Sequence, residues 1–66
     1  MAAYYVNTAP QPTGEHEVHK QGCEWMPQSR TYLGEFESCG PAIAAARQRY
    51  RKVDGCATCA PECHTR

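Results

Sequence analysis

No stretch of this 66-residue chain approaches the roughly 18 consecutive apolar residues that a membrane-spanning helix requires, so the sequence predicts a soluble protein. The opening segment "MAAYYVNTAPQPTG" has neither the basic region, the apolar stretch nor the cleavage site of a secretory leader. The expectation is therefore a cytoplasmic chain whose thiols stay reduced. Net charge is lacking too. Seven basic residues balance seven acidic ones, whereas nucleic-acid-binding domains usually carry a basic excess. A phosphate loop, a nucleophile elbow and paired catalytic carboxylates are all absent, which removes the common signatures of an enzyme.

What the chain does have is cysteine. Cys23, Cys39, Cys56, Cys59 and Cys63 are dense for such a length. A domain this small buries only about 60% of its unfolded surface and needs a staple, either disulfides or a metal. The odd count and the missing leader favour a metal-ligand set over a closed disulfide framework.

Along the chain, "AAYYVNT" is β-prone, and "APQPTGE" breaks it with two prolines and a glycine. Residues 1–14 read as an N-terminal arm or edge strand, with residues 15–66 forming a single metal-binding domain. "EHEVHK" reads as a short strand running into a "QG" turn before Cys23. Trp25 and Met26 are the large apolar groups that the loop "EWMPQSR" has to bury. "RTYLGEFE" is the best strand pattern, with Tyr32, Gly34 and Phe36 on one face and Thr31, Leu33 and Glu35 on the other. It is expected to pair antiparallel with the "EHEVHK" strand. Ser38 suits an N-cap and Pro41 a first helical turn. Cys39, Ile43, Ala46, Tyr50 and Val53 recur at steps of four and three, which predicts a helix over about 38–53. Gly55 is then expected to close that helix in a left-handed conformation. The fold class is α+β: short antiparallel strands, one helix and a C-terminal CxxC knuckle.

The chemistry lies at the two ends of this framework. "CATC" places Cys56 and Cys59 on a turn that can aim two thiolates at one ion, although the same spacing also serves redox pairs. A structural site needs four ligands, and "HKQGC" supplies His19 and Cys23 as a second half. The expected cofactor is one zinc ion held by His19, Cys23, Cys56 and Cys59. Cys63 and His64, from the tail "CAPECH", stand as alternates. That tail also approaches a c-type haem attachment, but it has three residues between its cysteines where two are required. Catalytic zinc keeps an open coordination position. The ligand count here reaches four or more, and a closed, non-enzymatic site is favoured. Cys39, on the apolar helix face, reads as a buried inert thiol.

"VHKQGC", a strand, a helix and then "GCATCAP" resemble, over about residues 16–61, small metal-binding domains with "YHxxxC" and "CxxCxP" half-sites. These are similar to the N-terminal zinc module of Ada-type DNA repair proteins and to modules appended to bacterial nucleases and DNA-uptake proteins. His19 and Cys23 match the first half-site, Cys56 and Cys59 the second. Where the Ada module has cysteine at its first ligand, this chain has histidine. The methyl transfer of that module, which uses an all-thiolate site, is not implied. End to end, the chain also resembles small bacterial proteins with "YLGxF", "DGCxxC" and "ECHT" segments, a resemblance that brings no activity with it.

Charge is unevenly placed. Up to Gly40 there are two basic and five acidic residues, and from Pro41 onward five and two. Arg47, Arg49, Arg51 and Lys52 surround Tyr50 near the expected helix end, where cations complement the helix dipole and offer a weak contact to nucleic acid. The function expected from sequence is a monomeric binding or adaptor module for nucleic acid or a protein partner. A thiol redox or metal-responsive protein using the surplus Cys39 and Cys63 is the alternative.

Overall fold

The computed structural model describes residues 1–65. Strands β1 (Ala2–Asn7), β2 (His16–Lys20) and β3 (Arg30–Phe36) are followed by helix α1 (Cys39–Arg47) and the short strand β4 (Val53–Gly55), with a 3-10 turn over Pro61–Cys63. The class is α+β, as expected. The strands form one mixed sheet in the order β3-β1-β2-β4. β1 runs antiparallel to both of its neighbours, and β4 runs parallel to β2. Among the described residues no helix is long and apolar enough to cross a membrane.

β1 corrects the sequence reading most. An arm or edge strand was expected, but Ala2–Asn7 lies inside the sheet, between β3 and β2. Tyr4 and Val6 explain the placement. They share one face of the strand and are buried in the core with Val18. Buried backbone on both sides of a strand needs ladder partners, so β2 and β3 do not pair with each other as expected but each pair with β1.

The alternation predicted for β3 is also broken. Tyr4 pairs with Gly34 and Tyr5 with Tyr32, so Leu33 is an extra residue in a bulge. Beyond it the faces exchange. Leu33 and Phe36 both pack on the core, while Tyr32 points out and is 54% exposed. Trp25 does not bury itself; it is 64% exposed.

Helix α1 lays Cys39, Ala42, Ile43 and Ala46 on the sheet. It ends at Arg47, not near Val53. Tyr50 and Val53 do pack against the core, but from a turn and a strand. β4 takes hydrogen-bonding partners along the open edge of β2, pairing His16 with Val53 and Val18 with Gly55. That gain overrides the helix propensity of the arginine-rich segment. Gly55 consequently lies in a strand, without the left-handed φ that a helix cap demands.

Candidate metal centre

Two local turns bring the site together. β2 ends at Lys20, and the turn through Gly22, whose φ of +92° suits glycine, lets the Cys23 amide donate to the Lys20 carbonyl at 3.1 Å. On the other side β4 delivers Cys56, whose amide donates to the Val18 carbonyl at 3.0 Å. The Ala60 amide then closes the "CATC" turn on the Cys56 carbonyl at 2.8 Å. A helix running to Val53 would have carried Cys56 away along its own axis. The parallel strand instead sets it beside His19.

His19, Cys23, Cys56 and Cys59 each present a ligand atom, all four atoms lying within 4.8 Å of one another. The sulfurs of Cys23 and Cys56 are 3.8 Å apart. Two thiolates about 2.3 Å from a tetrahedral ion stand about 3.8 Å from each other. Nδ1 of His19 is 3.8 Å from the Cys59 sulfur, against about 3.6 Å for an imidazole and a thiolate sharing such an ion. The donor set thus fits one ion and can hold a metal.

Electrostatics prepare the ligands. Burial lowers the pKa of His19 below its ordinary 6.5, only partly offset by Glu17, which favours the neutral imidazole that metals bind. Nε2 of His19 lies 3.3 Å from a Glu17 carboxylate oxygen. With Nδ1 facing the thiols, Nε2–H donates to Glu17, an arrangement that fixes ring orientation in metal sites. Burial pushes the Cys59 thiol up to about 12, with the Cys23 and Cys56 sulfurs adding to the rise and the Lys20 amide opposing it. That amide donates to the Cys59 sulfur at 3.2 Å. A cation beside the Cys59 sulfur would favour its thiolate.

The alternates lie elsewhere. Cys63 is joined to Cys39 in a disulfide, so Cys39 is not the inert thiol expected from its helix position. His64 donates Nδ1–H to the Gly55 carbonyl at 2.9 Å and lies 3.4 Å from Asp54. Asp54 is itself buried, which opposes its ionisation. Hydrogen bonds from Thr65 and Gly55, with His64 nearby, outweigh that and hold its carboxyl below the usual range. All five cysteines are thereby placed: two in the disulfide, and the free Cys23, Cys56 and Cys59 in the cluster. Sequence reasoning missed Glu17 and the disulfide. Glu17 had a signal, because two residues before His19 on a strand means the same face.

The chain matches no protein-family model, no curated protein and no solved structure.

Proposed function

We propose that His19, Cys23, Cys56 and Cys59 bind one zinc ion in a closed structural site, and that the domain it folds is a non-enzymatic binding module. The observation that carries this reading is the pair of 3.8 Å separations, sulfur to sulfur and sulfur to imidazole, in one four-ligand cluster. Three thiols and an imidazole form the borderline-soft tetrahedral set that suits zinc. Four protein ligands leave no coordination position for a reacting water. The resemblance to Ada-type modules agrees in its two half-sites, while the histidine ligand argues against methyl transfer.

Native mass spectrometry of protein refolded with zinc tests this. One ion per chain is expected, lost on Cys56→Ser or Cys59→Ser and kept on His64→Ala. A chain that shows a dispersed amide spectrum without any metal would overturn it.

One observation favours a second reading, a thiol redox protein: the two surplus cysteines, Cys39 and Cys63, are paired. Against it, burial raises the Cys59 thiol, whereas a redox nucleophile in a CxxC turn has a lowered pKa. Alkylation separates the two readings. A thiol that reacts before metal is removed belongs to a redox protein, and protected Cys56 and Cys59 belong to a structural site.

A further inference from the structure

The turn between α1 and β4 forms one wall of an open groove of about 640 Å³ lined by Gly14, His16, Arg49, Tyr50, Arg51 and Lys52. Three of these six residues are cations and none is an acid. Among the described residues, Arg49, Arg51 and Lys52 make no ion pair and no side-chain hydrogen bond. They are exposed, and the chain's net charge is zero, so this groove gathers positive charge that the rest of the molecule offsets elsewhere. Unpaired cations side by side repel one another, and an anionic ligand relieves that repulsion.

The groove is also held in place. The His16 amide donates to the Lys52 carbonyl at 2.9 Å. The Lys52 side chain lies across Gly14, where an added Cβ would meet its Cδ at 3.5 Å. The rings of His16 and Tyr50 stack at 3.7 Å with 14° between their planes. Nδ1–H of His16 donates to the Asn7 carbonyl at 2.9 Å, which fixes that ring. Both rings remain partly exposed.

We propose that this groove binds the phosphate backbone of a single-stranded nucleic acid, with Arg49, Arg51 and Lys52 on its phosphates and the His16–Tyr50 stack as a platform for a base. The inference rests on the binding-module reading above and names its partner. A cationic track beside an aromatic platform is how strands are held without sequence preference. A duplex is a poorer fit, because reading one takes a helix or ribbon that enters a groove. Here the cations follow a short connection beside the sheet.

The test is fluorescence anisotropy of a labelled single-stranded oligonucleotide of mixed sequence, titrated with zinc-loaded protein over a range of salt. Three phosphate contacts give a slope of log K on log salt of about −2. Replacing Arg49, Arg51 and Lys52 by alanine together is expected to weaken binding more than tenfold and flatten that slope. Tyr50→Ala is expected to weaken it at every salt concentration. Arg30→Ala, which removes a cation lying over the Tyr5 ring 5.3 Å from its centroid and outside the groove, is expected to change nothing. The proposal is overturned if zinc-loaded protein does not bind at 50 mM salt. It is equally overturned if the matching duplex, a nucleoside triphosphate or polyglutamate competes as well as the strand. Native mass spectra of the same samples keep the two readings apart: failure to bind with one zinc present removes the groove alone, and binding by a folded, metal-free chain removes the zinc site alone.

Discussion

Burial holds the His19 imidazole below its ordinary value of 6.5, and the sign of the resulting pH dependence follows. The unfolded chain takes up a proton near that ordinary value, which the folded chain refuses. The stability this contributes is present above 6.5 and is lost as pH falls through the folded value. Metal binding has the same sign, because only neutral imidazole ligates. The unfolding midpoint of the zinc-loaded protein is therefore expected to fall between pH 7 and pH 5, and a flat midpoint over that interval would show that His19 is not the ligand. Glu17 acts on the same ring. Glu17→Gln removes its charge and is expected to weaken zinc affinity by 10- to 100-fold with four ligands still present, as read by competition with a chromophoric chelator. The ligands were legible in the sequence because each half-site is local: "HKQGC" and "CATC" declare themselves by spacing. The Cys39–Cys63 pair was not, because its members are 24 positions apart and meet only once α1 and the tail are packed.

Tyr50 and Val53 show what periodicity measures. Their spacing from Cys39, Ile43 and Ala46 correctly marked them as residues that pack on the core. It did not determine the backbone that brings them there, because a turn and a strand along β2 serve as well as two more helical turns. Gly55 is a related case. Its glycine meets a close approach rather than a special φ. A Cβ there would stand 2.7 Å from Cys63 Cβ, 2.8 Å from the Cys63 carbonyl carbon and 2.9 Å from the Ala60 carbonyl oxygen. Two of those atoms are backbone, so the 3-10 turn itself must shift. Gly55→Ala is expected to cost about 1–3 kcal/mol, the range for overpacking, and to loosen zinc because Cys56 is the next residue. Urea denaturation with zinc titration measures both. The disulfide ties the same turn to the start of α1. Closing a loop of 24 residues contributes about 3 kcal/mol in the chain-entropy account. The Cys39→Ser, Cys63→Ser double variant is expected to lose that much in urea, and wild type treated with a phosphine reductant is expected to match it. A smaller loss in both would mean that the tail packs equally well untied.

At the scale of the whole molecule, the core packs Tyr4, Val6 and Val18 of the sheet against Cys39, Ala42, Ile43 and Ala46 of α1. Structural zinc contributes an apparent 10–16 kcal/mol in small finger peptides, more than the disulfide or so small a core. Removing zinc with a chelator while the disulfide stays intact is therefore expected to collapse the dispersion of the amide spectrum. Retained dispersion would make the disulfide and the core the sufficient staples. The disulfide and the candidate metal cluster are also crossed in sequence rather than nested: an ion in the cluster would join residues 19–23 to residues 56–59, and the disulfide begins at Cys39 between those groups and ends at Cys63 beyond them. A chain clipped by trypsin after the exposed Arg49 or Arg51 is consequently expected to stay one particle, its halves bridged by the disulfide, and chelation alone is not expected to part them. A clip after Arg30 leaves both disulfide cysteines in one piece, so those halves, joined by strand pairing and by zinc if it is bound, are expected to separate when a chelator is added.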